Sequence, residues 1–366
     1  MPKHVVLILR HFTVGGLERV LLSHVRLLTA AGHTLTVCVL DPGRDNVLVY
    51  ELPPEVRLVT APRSRLRRTV FLCRLVAGAT VLLQFGDGRL YPSIRPALTS
   101  ADRIIRFCHS DYSHLRTPAK NLLDRALTRS EDTIVAVGGR STRFLLDDVH
   151  APADKVITLT NAIEPRAAVQ PPSDQPWAKG RPYVVAIQSL YPHKGHDVLL
   201  RAHAHLTRTN PDVQLVVIGD GDQTIALRAL ATSLGIADHV TWLGAVWHHD
   251  LVDRILTGAS AFVSMSRFEG VPISVLEARR HVLPLVLTDI PGHRDAADPT
   301  TRLVTVDDHE AFAQAVLDTL TPGAPRSADT SALDLDWERY AAGFLAIVEG
   351  NRPVAATAGP PTGASA

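Results

Sequence analysis

Short runs rich in apolar residues recur along the first half of the chain, at 5–9, 35–40, 56–60, 80–85, 103–107, 133–137 and 156–160. The run 5–9 is all apolar, as in a strand buried on both faces of a parallel sheet, and the others read as further strands. Between them lie stretches with apolar residues three and four apart, at 16–31 and 115–129 and again after residue 141. These predict covering helices. The second half repeats the alternation, with strands at 183–187, 214–218, 240–243, 261–263 and 283–287. Its helices are expected to end near 208, then to run at 224–234, 250–257, from 273, at 308–320 and at 337–349. The pattern predicts an α/β protein of two doubly wound, Rossmann-like domains, with ligand groups in a cleft facing the carboxyl ends of both sheets.

The periodicity lapses at 166–181, where Pro, Gln, Ser and Asp replace the apolar runs, so this segment reads as a linker. The expected domains are 1–165 and 182–335, followed by a helix at 336–350. The tail at 351–366, rich in Ala, Pro, Gly and Thr, is expected to be disordered. A length of 366 residues agrees with two domains at the usual ~100–200 residues each. Composition acts mainly by exclusion. A net charge of +1 gives no case for bulk nucleic-acid binding. Cys38, Cys73 and Cys108 are too few and too scattered for a disulfide framework or a metal site, and fit a reduced, cytoplasmic setting. The opening apolar run is too short for a signal peptide. The longest candidate span, 70–85, is broken by Arg74 and Gly78, so no membrane-crossing helix is expected. The basic run Arg63, Arg65, Arg67, Arg68 reads as a solvated helix start or as a weak peripheral contact with an anionic lipid surface.

Candidate chemistry concentrates at 264–289, a strand–loop–helix–strand unit. Glu269 stands in its loop and Glu277 in the helix that follows. Gly270 lets the backbone approach a ligand closely, and Pro272 suits a first helical position. The N–H groups at that helix start make an anion site. Glu277 would repel an anion and better suits the hydroxyls of a polyol such as a ribose. On spacing alone, two glutamates eight apart read more readily as solvated charges; their place after a strand is what raises them. Lys194 lies in another strand–loop–helix connection and is either a surface lysine or a point charge for phosphate. Gly15 and Gly16 open the first helix without the G-x-G-x-x-G fingerprint, which argues against a dinucleotide pocket. They form a tight turn or line a ligand site. His109 follows the strand at 103–107 and is either a satisfied buried histidine or a ligand-facing one. Cys108 beside it reads as core, not nucleophile.

Together, Gly15, Gly16, Glu18, Arg19, His109, the Asn161-Ala162-Ile163-Glu164 run, Lys194-Gly195-His196-Asp197, Gly219-Asp220-Gly221, Leu243-Gly244 and the E-x7-E pair Glu269 and Glu277 carry a resemblance. Over about 5–349 the chain is similar to the retaining GT-B glycosyltransferases of family 4. That resemblance implies that Lys194 holds the donor diphosphate, Glu277 the ribose hydroxyls, and Glu269 the transferred hexose near its reacting carbon. It places Gly270, Val271, Pro272 and Ile273 along the sugar and phosphate, with Pro272 unable to donate an N–H. Gly219, Gly244 and the position of Ser189 belong to the same donor site. His109 would line the donor sugar from the first domain, Gly15 and Gly16 would approach the diphosphate or acceptor, and the final helix would return to the first domain. The implied partners are a nucleotide-sugar donor and a hydroxyl acceptor, such as a small natural product, a glycan or a lipid-linked saccharide. No metal or other cofactor is implied. In such a transfer the leaving diphosphate deprotonates the incoming hydroxyl on the same face of the sugar. The chain departs from the family pattern at Ser189, where an Arg is usual, and at Val271-Pro272, where Phe-Gly is usual. Ser189 leaves open a non-catalytic sugar-nucleotide-binding or partner subunit, and a further GT-B reading is an epimerase.

Overall fold

The structure, a computed structural model, describes residues 2–41, 47–84, 93–109, 117–127, 133–167, 169–171, 175, 180–321, 323 and 330–353. The expected tail lies outside the described residues from 354 onward, as do both ends of the helix expected at 115–129. Two compact units divide the chain. One is Met1–Asn161 with Glu338–Ala366, the other Ala162–Trp337.

The first unit runs β1 (His4–Leu9), α1 (Gly16–Ala30), β2 (Thr34–Val39), β3 (Arg57–Thr60), α2 (Arg65–Leu75), β4 (Thr80–Leu83), β5 (Arg103–Cys108), α3 (Pro118–Leu127), β6 (Thr133–Ala136), α4 (Gly139–Arg143) and β7 (Val156–Thr158). Its sheet has the order β3-β2-β1-β4-β5-β6-β7 and is parallel at every pairing. Strand β1 lies near the middle, with Val5, Val6, Leu7, Ile8 and Leu9 wholly buried, which is why its sequence carries no alternation. Edge strand β3 is largely exposed, with Leu58 on the surface. Leu72 of α2 and Val76 just after it belong to the core formed with Val6, Ile8, Val81 and Leu83. Helix α1 stops at Gly32, whose φ of 80° is the left-handed turn a β-carbon disfavours.

The second unit runs β8 (Tyr183–Ile187), α5 (His196–Thr209), β9 (Gln214–Ile218), α6 (Thr224–Ser233), β10 (Val240–Gly244), α7 (His249–Gly258), β11 (Ala261–Ser264), α8 (Ile273–Arg280), β12 (Leu285–Thr288), α9 (Pro291–Ala296), β13 (Arg302–Val304) and α10 (His309–Leu320). Its parallel sheet has the order β10-β9-β8-β11-β12-β13. The strand order therefore reverses between β8 and β11. Such a reversal leaves a crevice at the carboxyl ends of the two strands. Apolar faces of α5, α6 and α10 pack on β8 and β9 through Leu199, Leu206, Leu227, Phe312 and Val316. Asp308 caps α10 by accepting the Ala311 N–H at 3.0 Å. Helix α11 (Ser331–Glu349) is continuous across the chain boundary between the two units.

Three local expectations change. Pro272 is the N-cap of α8 rather than its first helical residue, with ψ at 122°, because the extended Glu269–Pro272 loop continues one residue further. Two short elements, α9 and β13, were invisible to periodicity: six and three residues are too few to establish a period. Helix α11 begins at Ser331, six residues before the expected start at 337, since Ala332, Leu333 and Leu335 extend the helix through a weakly patterned turn.

Candidate functional site

The carboxyl-end loops of β8 and β11 flank the strand-order reversal of the second unit, and they carry a nearly buried ion pair. After β8 the backbone passes through Gln188 and Ser189 into a single 3₁₀ turn, Pro192–Lys194, before α5 begins. After β11 it passes through Ser266 and Glu269 into α8. Lys194 Nζ donates to both carboxylate oxygens of Glu269, at 2.6 and 2.7 Å. The two side chains are 16% and 9% exposed, so the pair is nearly withdrawn from water.

A polar bed supports the carboxylate. Ser266 Oγ donates to Glu269 Oε1 at 2.8 Å, and Gln188 Nε2 reaches the same oxygen at 3.3 Å. Gln188 Nε2 also donates to Ser264 and Ser266 Oγ at 2.8 and 2.7 Å. Beneath them His293, fully buried, meets Ser264 Oγ at 3.1 Å and the Thr288 carbonyl at 2.8 Å. Burial acts to raise the Glu269 carboxyl, but the Lys194 ammonium, then His293 and the Lys194 and Ser266 hydrogen bonds, hold it below the usual carboxylate range. His293 is shifted down by burial, against the Glu269 charge. Gly292 fixes the loop from the other side: a β-carbon there would lie 1.9 Å from the Gly270 carbonyl oxygen.

The other expected residues of the second unit lie in the loop into α8, in α8 itself and at the carboxyl ends of β8, β9 and β10. Gly270, Val271, Pro272 and Ile273 form the connection from Glu269 into α8, with Val271 and Ile273 buried and Gly270 and Pro272 partly exposed. Glu277, one turn into α8, is buried and lies 3.9 Å from the Arg166 guanidinium. Arg166 also contacts Asp253 at 3.3 Å, and His281 approaches Asp253 at 3.1 Å. The expected linker thus begins with an arginine packed on α7 and α8. Gly219, with φ at 145°, ends β9 so close to β8 that a β-carbon would lie 1.8 Å from the Gln188 carbonyl oxygen. Its N–H donates to the Gly244 carbonyl at 2.8 Å, which joins the ends of β9 and β10 backbone to backbone. Ser189 is partly exposed, and its carbonyl accepts the Tyr191 N–H at 3.0 Å.

Among the residues that stand near Ser189 in sequence or space, Arg267 is committed elsewhere. Its guanidinium grips Asp197 at 3.0 Å and Asp307 at 2.9 Å. His196 is buried and its imidazole is pushed down to about 4 by burial, so it is neutral near pH 7. His193 stacks on Phe268 with ring centroids 4.5 Å apart.

In the first unit, His109 follows β5 and is partly exposed, and its Nε2 lies 3.1 Å from Gln84 Oε1. Gly15 is the N-cap of α1 and Gly16 its first residue. The Glu18 carboxyl curls back over this turn: its Oε2 would stand 2.5 Å from a β-carbon on Gly15. Burial raises it to about 7, opposed by hydrogen bonds from its own backbone N–H and from Thr13. The helix N-terminus thus already faces a side chain of its own.

Among the described residues there is no group of three or more His, Cys, Asp and Glu side chains able to hold a metal ion. None of the described helices is long and apolar enough to cross a membrane. Cys38 and Cys108 are buried free thiols and Cys73 a partly buried one.

Sequence reasoning did not single out Gln188, Ser266, His293 or Arg166. Ser266 lay within the 264–289 unit and Gln188 directly before Ser189, but no pattern separates a buried polar bed from an ordinary loop. His293 directly follows Pro291 and Gly292 after β12, a helix-start signal that could have marked it.

Residues 171–330 match the family model of Glycosyl transferases group 1. A stretch of 112 residues is 33% identical to the GDP-mannose-dependent alpha-(1-6)-phosphatidylinositol monomannoside mannosyltransferase of Mycolicibacterium smegmatis, covering 29% of each chain. A stretch of 125 residues is 32% identical to the alpha-D-kanosaminyltransferase of Streptomyces kanamyceticus, covering 34% of this chain and 32% of that one. The chain thus aligns with about three-tenths of the length of these curated relatives. The structure of Anabaena HepE in complex with UDP-glucose superposes with a TM-score of 0.74 at 15% identity, covering 95% of both chains. The chain therefore has the GT-B fold of two Rossmann-like α/β domains, and its second unit carries the Glycosyl transferases group 1 signature.

Proposed function

We propose that this protein is a nucleotide-sugar-dependent glycosyltransferase of the retaining, family 4 type. The reading rests on one observation above all. A nearly buried Lys194–Glu269 pair stands at the carboxyl ends of β8 and β11, where the strand order reverses, inside the segment that matches the family model. A lysine beside a carboxylate there holds a phosphate-seeking cation and a hydroxyl-seeking anion in fixed register, as a sugar joined to diphosphate requires.

In the proposed transfer, the bond from the sugar's anomeric carbon to the diphosphate oxygen breaks. A new bond to the acceptor oxygen forms on the same face, and the acceptor proton passes to the leaving diphosphate. Lys194 and the N-terminus of α8 stabilise the charge that grows on the diphosphate. Glu269 orients sugar hydroxyls; tied to Lys194, Ser266 and Gln188, it is poorly placed to act as a nucleophile. Glu277 binds the ribose diol, with Arg166 setting its place. The acceptor is a hydroxyl of a natural product, glycan or lipid-linked saccharide, and no metal takes part.

Ser189 favours a second reading, a non-catalytic sugar-nucleotide-binding subunit. An Arg on the diphosphate is charge-assisted, and lacking one costs roughly 1.5–3 kcal/mol of donor affinity. Neither Arg267 nor His196 supplies that charge, since one is held by two carboxylates and the other is neutral. Titrating UDP-, GDP- and dTDP-sugars into the native protein and into Ser189→Arg decides the matter. The enzyme reading expects at least one donor to bind and to be hydrolysed slowly without acceptor, more tightly in Ser189→Arg by about tenfold. Binding without turnover in either protein selects the subunit reading. No binding to either protein overturns both.

A further inference from the structure

Four polar side chains from four separate segments of the first unit form a continuous hydrogen-bonded chain. His109, after β5, meets Gln84, directly after β4, with Nε2 to Oε1 at 3.1 Å. The Gln84 amide nitrogen meets His24 Nδ1, on α1, at 2.9 Å. His24 Nε2 meets the Tyr340 hydroxyl, on α11, at 2.7 Å. His24 and Gln84 are wholly buried and Tyr340 is 3% exposed. The chain is walled by aromatic rings: Phe344 stacks on His24 at 4.0 Å and 5°, and Phe107 lies 4.9 Å from the same ring.

Buried polar groups at this cost of desolvation are retained only where all are satisfied, and their order has a direction. A glutamine amide offers an acceptor at one end and donors at the other. With Oε1 toward His109, Nε2 of that imidazole must carry its proton. With the amide N–H toward His24 Nδ1, His24 must carry its proton on Nε2 and donate it to Tyr340. One amide thus sets two tautomers. The consequence at the open end is chemical: the Nδ1 of His109, which has no partner among the described residues, is left as a lone-pair acceptor. Burial lowers both imidazoles, that of His109 to about 4, and raises the Tyr340 phenol, so every member is neutral near pH 7.

We propose that Gln84, His24 and Tyr340 are positioning residues that hold His109 in its Nε2-protonated tautomer, presenting Nδ1 as a hydrogen-bond acceptor to a hydroxyl of the sugar substrate. The sugar part of this inference rests on the function proposed above; the tautomer part stands without it.

The test is nitrogen-15 NMR on protein labelled at histidine, with the His109 signals assigned from a His109→Gln sample. Native protein at pH 7 should show a protonated Nε2 and a bare Nδ1 at His109. Gln84→Glu keeps the acceptor and should preserve that tautomer while raising the pH at which His109 titrates. Tyr340→Phe changes volume little and removes only the hydroxyl. It should admit the other tautomer at His109 and lower kcat by about tenfold, the worth of one hydrogen bond, with KM little changed. A native His109 protonated on Nδ1, or a Tyr340→Phe protein with unaltered tautomer and kcat, overturns the proposal. If the tautomers follow these expectations but no nucleotide-sugar binds, the relay stands and the glycosyltransferase reading fails. If donor turnover is found and the tautomers ignore the substitutions, the relay fails alone.

Discussion

Lys194 and Glu269 each lose hydration to make their contact, so removing one leaves the other as a buried charge. Breaking such a pair from one side costs about 3–5 kcal/mol, and the 16% exposure of Lys194 puts Lys194→Met at the lower end, about 3 kcal/mol. Removing both charges together, as Lys194→Met with Glu269→Gln, should restore most of that loss. The measurement is a double-mutant cycle by urea unfolding, followed in the second unit. Strict additivity would mean the pair is not coupled. The catalytic expectation runs the other way: the double variant stays inactive, because the diphosphate has lost its cation. The two positions were visible in the sequence as a lysine beside a helix start and a glutamate in a loop. Their contact was not, because it joins residues seventy-five apart.

At the scale of elements, the loops of the second unit are held by backbone packed on backbone. Gly219 and Gly244 both have positive φ, but they differ in surroundings. A β-carbon on Gly219 would strike the Gln188 carbonyl at 1.8 Å, whereas one on Gly244 would meet nothing within 4 Å. Gly244→Ala should therefore cost only backbone strain, about 1 kcal/mol. Gly219→Ala must also push apart the ends of β8 and β9, and should cost at least ~3 kcal/mol and weaken donor binding. Comparing the two melting temperatures and donor affinities checks this; equal effects would mean that the β8–β9 loops can separate freely. The sequence marked both glycines as donor-site residues by resemblance. Packing separates them: one joins two strand ends tightly, the other only turns.

At the scale of the whole molecule, burial of histidines ties stability to pH. His196 and His203 are 3% and 2% exposed, and burial pushes each down to about 4. Above an unfolded value of about 6.5 both states are neutral and these groups change nothing. Below it the unfolded chain takes up protons that the folded one refuses, so stability falls as pH drops from 6.5 towards 4. The slope is about 1.4 kcal/mol per pH unit for each histidine. Proton uptake on unfolding at pH 5 should drop by about one in His203→Asn, and an unchanged uptake would contradict the buried, neutral state of His203. The alternation of apolar-rich runs and helical patterns was enough to determine the parallel α/β class and nearly every strand, because the central strands are buried and so rich in apolar residues. Motif residues marked the loops at strand ends. Strand order was not in the pattern, since every buried strand reads alike, and it is the order that puts β8 beside β11 and so Lys194 on Glu269. The same holds for the His109 relay: His24, Gln84 and Tyr340 are far apart in sequence and unremarkable there, and only the folded first unit closes them into one hydrogen-bonded chain.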